Sequence, residues 1–408
     1  PISDGVPMSN AQPADRRRRY PVRMQQGRRG LARGVCAALS VVVSASLSVA
    51  LAPAASADDR VPGGTIISRE RVPAAQLPPG AAAAERVEYV TRDQSGHSAP
   101  SSGIYWIPQG TPPPGGWKIV SWAHGTTGIG DACAPSKTKT GSGVDAAVIA
   151  ALKAGYAVTA TDYAGLGTAE QTEYLGGRAA AHSVLDMLRA ARWEESRLSN
   201  DWVSMGHSQG GHAALWAGHM AASYAPELRL HEVVAAAPAS GIESVFSAFT
   251  PNVPSLGKGN IVGGLLLFIL AGLDHARPEL NVRDHLTVTG EKYLELAHEK
   301  CSGDFSDAMR TVSPGSLVAR AFTDKAFTDA LADYTSVPSN DWHVPIRIDH
   351  GLFDPVVPYV LSASLVRRLR SAGADVSFVT HPRADHTSVV DQSLDDEMRT
   401  IGQAFSND

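Results

Sequence analysis

Along this chain short apolar runs alternate with longer stretches whose apolar residues recur at helical spacing. The run at 118–123, Lys-Ile-Val-Ser-Trp-Ala, predicts a strand that leads straight into His124-Gly125-Thr126-Thr127-Gly128. A helical pattern over 144–153 stops at Gly155, and a second strand is expected at 156–160. Residues 179–198 place Val184, Leu185, Leu188 and Trp193 at helical spacing and hand over to an apolar run at Trp202. After one more helix, 233–237 is again a short strand of buried type. Such alternation implies a mostly parallel sheet with helices on both faces, and ligands of such sheets bind beyond the carboxyl ends of the strands.

The rhythm breaks between 238 and 341. This region holds Ile261-Val262-Gly263-Gly264-Leu265-Leu266-Leu267-Phe268-Ile269-Leu270, too short to span a bilayer and too apolar all round for a surface helix. With helical patterns at 290–299 and 317–334, it predicts a mainly helical insertion over 239–341, either a cap on the strand ends or a buried core helix with attendants. The sheet pattern resumes at 344–348, followed by a helix over 359–372, a strand over 376–380 and a closing helix. Early strands are expected at 87–91 and 104–107. The Pro-, Gly- and Ala-rich stretch 58–82 predicts a surface-bound or flexible lead-in. The expected organisation is therefore an N-terminal segment through 57, the lead-in, an α/β core over 83–238, the insertion over 239–341, and the rest of the core over 342–408.

The N-terminal segment changes how the composition is read. Arg28, Arg29 and Arg33 precede a weakly apolar run over 35–52 that ends at Ala55-Ser56-Ala57, the order of a secretory signal with cleavage after Ala57. A membrane anchor is the competing reading, disfavoured by Ser40, Ser44, Ser46 and Ser48 within the run. The formal net charge is −5; taking away the eight arginines and two aspartates of residues 1–57 leaves −11. That balance argues against nucleic acid as a partner, since phosphate binding needs clustered Lys and Arg. Removal of the segment also takes Cys36 and leaves Cys133 and Cys301. Two cysteines in an exported chain most simply pair; two buried free thiols are the alternative.

The candidate chemistry starts at Gly206-His207-Ser208-Gln209-Gly210, a Gly-x-Ser-x-Gly set between an apolar run and an Ala-rich helical pattern. Strand, sharp turn and helix make a nucleophile elbow, with Ser208 exposed beside a helix N-terminus that favours developing negative charge. A serine nucleophile needs a base, and the base an acid to hold its tautomer. Asp354 and His386 each follow a late strand, in the chain order Ser, Asp, His. Their rivals are Asp349, inside a strand pattern, and His381, five residues closer to the last strand. Asp385 is expected to be a loop residue, and His207 and His212 to be packing or pocket-wall groups. The oxyanion donors are expected to be the backbone amides of Gln209 and Thr126, with Thr127 as the alternative to the latter. No cofactor or metal is required.

Together, Val120-Ser121-Trp122-Ala123-His124-Gly125-Thr126, Cys133-Ala134-Pro135-Ser136, Asp162-Tyr163-Ala164-Gly165-Leu166-Gly167, the elbow and Gly351-Leu352-Phe353-Asp354 resemble the secretory lipases of the lipase A type, found in fungi and actinobacteria. The resemblance extends over nearly everything after Ala83. It implies an α/β-hydrolase fold with a helical lid in the insertion, places nucleophile, acid and base on Ser208, Asp354 and His386, and implies that Cys133 pairs with Cys301. With the signal segment, the expectation is a secreted carboxylic-ester hydrolase that cleaves acylglycerols or similar lipid esters through an acyl-serine intermediate, meets a lipid interface through the lid, and has no transmembrane anchor in the mature chain. An esterase for short or aromatic esters, an acyltransferase and a non-catalytic binding module are the alternatives.

Overall fold

The computed structural model describes residues 60–251, 253 and 261–406; the expected signal segment over 1–57 lies outside them. Nine strands form one sheet in the order β1-β2-β3-β5-β4-β6-β7-β8-β9. They are β1 (Ile66–Arg71), β2 (Ala81–Arg92), β3 (Ser98–Pro108), β4 (Trp117–Ala123), β5 (Ala157–Ala164), β6 (Leu198–His207), β7 (Arg229–Ala236), β8 (Ile346–Gly351) and β9 (Val376–His381). The first three pair antiparallel, and β3 meets β5 antiparallel. From β5 onward through β4, β6, β7, β8 and β9 every pairing is parallel.

Helices cover both faces because the parallel strands are apolar on both sides. On one face α3 (Gly177–Glu194), α4 (Gln209–Tyr224) and α10 (Tyr359–Ser371) bury Val184, Leu185, Leu188, Leu215 and Leu365 against Trp202 and Ile348. On the other, α2 (Ala146–Lys153) and α11 (Ser388–Ala404) bury Val148, Leu152 and Ile401 against Val120, Val158 and Val203. A short α1 (Pro135–Thr138) precedes α2.

Between β7 and β8 the chain forms α5 (Ile242–Phe246), α6 (Ile261–Ala276), α7 (Val288–Glu299), α8 (Ser302–Met309) and α9 (Lys325–Thr335). These helices share a third apolar core, in which Leu266, Leu267, Phe268, Ile269 and Leu270 of α6 pack with Phe305, Phe322 and Tyr334. Cys133 and Cys301 form a disulfide across 168 residues, with 5.3 Å between their Cα atoms. It joins the segment after β4 to the start of α8.

Two expectations are corrected. The lead-in is not simply flexible: Ile66-Ile67-Ser68-Arg69-Glu70-Arg71 forms an edge strand paired with β2. Its residues are mostly exposed, so backbone pairing rather than burial holds it, and the hydropathy pattern carries little trace of it. The helix expected over 317–334 begins only at Lys325, because buried Leu317 closes the 3-10 turn Pro314–Ser316 and buried Val318 then bridges Leu286.

Candidate active site

At the carboxyl end of β6 the chain turns sharply into α4. Ser208, at the turn, has φ 58° and ψ −118°, a conformation that costs a non-glycine residue of order 1–3 kcal/mol. Only small neighbours permit the turn. A Cβ on Gly206 would lie 2.2 Å from the carbonyl oxygen of Gly210, and one on Gly210 would lie 1.8 Å from that of Ala123.

The structure brings the three sequence-derived candidates together. The Ser208 hydroxyl donates to Nε2 of His386 at 2.9 Å, and Nδ1–H of His386 donates to Oδ2 of Asp354 at 2.6 Å. The loop bearing Asp354 packs tightly on the loop bearing His386: a Cβ on Gly351 would stand 2.5 Å from the carbonyl oxygen of Ala384. Close approach is thus what Gly351 supplies. Asp354 is held by four groups. Oδ1 accepts the amides of Val356 and Val357, each at 2.8 Å, while Oδ2 faces Nε2 of His350 at 3.2 Å as well as His386. Burial opposes ionisation, but the hydrogen bonds from His350 and His386 outweigh it and hold the carboxyl well below the usual carboxylate range.

The rival acid and base pair with each other instead. His381 donates from Nε2 to Oδ1 of Asp349 at 2.8 Å, and Arg347 grips the same carboxylate at 2.7 and 2.9 Å. Asp385 accepts the amides of Thr387 and Ser388 at the start of α11. His207 donates from Nε2 to the carbonyl oxygen of His386 at 2.8 Å, and His212 to that of Thr335 at 2.8 Å. Both stay neutral near pH 7: burial pushes each down to about 4, and in His207 the neighbouring His386 adds to it.

A cavity of about 590 Å3 opens onto Ser208 and His386. Gly264, Leu265 and Phe268 of α6 and Phe305 of α8 give it an apolar wall, so α6 serves both as a core helix and as a pocket wall. Thr126 and Thr127 line the side after β4, and Gln209 is the first residue of α4. The helices between β7 and β8 pin this loop. The amide of Ser302 donates to the Thr127 carbonyl at 2.8 Å, and the disulfide lies next to that contact.

Two further residues support the site without an obvious sign in the sequence. Tyr174 is buried, its hydroxyl 2.6 Å from that of Thr126, and its own carbonyl accepts the Tyr334 hydroxyl of α9 at 3.1 Å. His350 is fully buried at the end of β8; Nδ1 accepts from Ser362 at 2.8 Å, and its one N–H, on Nε2, is shared between the Val357 carbonyl at 2.9 Å and the Asp354 carboxylate at 3.2 Å.

A profile of the secretory lipases matches residues 134–408. The chain belongs to the secretory lipase family. Among relatives of this secretory lipase, lipase A of Moesziomyces aphidis is 27% identical over 372 residues, 84% of this chain and 76% of the relative. A secreted triacylglycerol lipase of Malassezia furfur is 28% identical over 56% of this chain and 44% of its own. Candida antarctica lipase A superposes with a TM-score of 0.71 at 22% identity, covering 86% of this chain and 84% of that one, a likeness of fold. The α/β-hydrolase architecture expected from the sequence is therefore the one this family member has. No helix among the described residues is long and apolar enough to cross a membrane.

Proposed function

We propose that this secretory lipase is an exported serine carboxylic-ester hydrolase that cleaves acylglycerols or similar lipid esters through an acyl-serine intermediate. The observation that carries the proposal is the unbroken relay from Ser208 through His386 to Asp354, at 2.9 and 2.6 Å, inside a cavity with one apolar wall. His386 takes the Ser208 proton as Oγ attacks the ester carbonyl, and the ionised Asp354 stabilises the imidazolium that forms. The amides of Gln209 and Thr126 receive the developing oxyanion, aided by the N-terminus of α4. His386 then returns the proton to the leaving alcohol, and water repeats the sequence on the acyl-serine.

The apolar wall from α6 and α8 suits an acyl chain, and the helices between β7 and β8 act as the lid over it. Export is supported by the secreted relatives and by the signal-like segment before Asp58. Ser208→Ala should lower kcat by roughly 10^5-fold or more on p-nitrophenyl esters and abolish labelling by a fluorophosphonate, with the thermal transition retained. Continued labelling would assign the nucleophile elsewhere. A chain-length series run beside emulsified triglyceride separates the lipase from a short-chain esterase. Activity confined to two- to four-carbon acids, with none on the emulsion, would remove lipid esters as the substrate class.

A further inference from the structure

Opposite in character to the apolar wall, the same cavity has a charged corner. Lys139 and Asp145 both line it and form an ion pair, and the Trp122 indole N–H donates to the free oxygen of Asp145 at 2.9 Å. The Lys139 and Asp145 side chains are about one-third exposed, at 33% and 28%, so a ligand can reach them. Behind them lies a recess of about 20 Å3 whose walls include Trp122, Lys139, Asp145 and His124, room for one hydroxyl-sized group.

His124 makes the recess more than a gap. It is buried, and its Nδ1–H donates to the Gly125 carbonyl at 2.7 Å, which leaves Nε2 as a bare acceptor. That Nε2 is buried and has no hydrogen-bond partner among the described residues. Burial keeps the ring neutral by pushing its pKa down, so the acceptor persists across the working range of an extracellular enzyme. A buried acceptor beside a pair that offers ammonium donors and carboxylate acceptors is an unusual endowment for a pocket meant to hold hydrocarbon alone.

We infer that Lys139, Asp145 and His124 form a subsite for the alcohol half of the ester, and that the alcohol is a polyol. The inference rests on the proposed ester hydrolysis and adds the substrate's other half. A hydroxyl is donor and acceptor at once, so it matches a pair that presents both. The pair carries no net charge: a carboxylate or phosphate would meet Asp145, and an ammonium would meet Lys139. One hydroxyl accepts from Lys139 and donates to Asp145; a neighbouring one reaches the recess and donates to His124 Nε2. The acyl chain is left to the Leu265, Phe268 and Phe305 wall. Glycerol and a sugar share this chemistry.

The test compares kcat/KM for monobutyrylglycerol, a glucose monobutyrate and ethyl butanoate, which share one acyl group and dissolve without an interface. The wild-type enzyme is expected to favour at least one polyol ester over ethyl butanoate by about tenfold or more, the size of one hydrogen bond to a charged group. Lys139→Met and Asp145→Asn should each bring that ratio most of the way to one. A wild-type ratio near one overturns the subsite without any variant being made, as does a ratio that survives both substitutions. The glucose ester outpacing the glycerol ester assigns the subsite to a sugar, and the reverse order to glycerol. Failure on all three with p-nitrophenyl butyrate still cleaved overturns the subsite, whereas failure on these and on p-nitrophenyl esters of every chain length would instead refute the hydrolase reading on which the subsite rests.

Discussion

Asp354→Asn isolates what the acid contributes, because the structure dictates which way the new amide must face. Oδ1 of Asp354 accepts two backbone amides, from Val356 and Val357, at 2.8 Å each. Only the carboxamide oxygen can take that place; turning the group over would set its NH2 against two N–H donors. Each lost and unsatisfied bond costs ~1–3 kcal/mol; the reversed orientation loses two, whereas the retained one loses only the longer contact from His350, whose N–H keeps the Val357 carbonyl at 2.9 Å, so the reversed orientation is disfavoured by about 1 kcal/mol or more. The NH2 therefore points where Oδ2 stood, towards Nδ1 of His386 at what is now a 2.6 Å contact. Nδ1 must then act as acceptor, the proton moves to Nε2, and His386 can no longer accept from Ser208. A base locked in the wrong tautomer should lower kcat by roughly 10^4-fold, equivalent to ~5 kcal/mol of transition-state stabilisation. The assay is kcat on p-nitrophenyl butyrate with thermal denaturation as the check on folding. Asp349→Asn serves as the comparison: it disturbs the Arg347 and His381 contacts and should lower stability while leaving kcat within a few-fold. Asp354→Asn within tenfold of wild type in kcat, in a folded protein, would refute the assignment of the acid.

Two other outcomes follow from the same geometry. Tyr174→Phe removes the bond to the Thr126 hydroxyl, worth ~0.5–1.5 kcal/mol, so kcat should fall about three- to tenfold with KM little changed; an equal rise in KM would show that Tyr174 shapes binding rather than the proposed oxyanion loop. Glu397, buried on α11 facing Asp349, Arg347 and Asp396, has its carboxyl pushed up to about 8, first by burial and then by the Asp349 charge. It keeps its proton in the folded chain while the unfolded chain loses it above about pH 4.5, so wild-type stability falls as pH rises from there to about 8. The advantage of Glu397→Gln over wild type in chemical denaturation should therefore grow from pH 5 to pH 8, reaching on the order of 2–4 kcal/mol; a constant offset would contradict the buried neutral acid.

Much of the proposed catalytic arrangement is legible in the sequence because it is written in local chemistry. The elbow needs Gly206 and Gly210 against the Ala123 and Gly210 carbonyls, and that need appears as a five-residue spacing. Asp354 and His386 are legible for a different reason: a parallel sheet delivers every strand's carboxyl end to one edge, so a residue just past β8 and one just past β9 must be neighbours of a residue just past β6. The same rule explains why Asp349 and His381 rank lower. They lie within paired strands, where Asp349 sits opposite Val379, and so they meet across the ladder rather than at the edge. What stays hidden depends on contacts between distant segments. Nothing near Tyr174 signals that its hydroxyl will meet Thr126 or that its carbonyl will meet Tyr334. Ile66–Arg71 is held by its backbone, which hydropathy does not record. His124, Lys139 and Asp145 converge only because β4, α1 and α2 fold around one recess. The groups proposed to break and form bonds are thus set by strand ends and can be read along the chain. The parts that would choose the alcohol are set by how loops cross, and for those the sequence alone offers no equivalent rule.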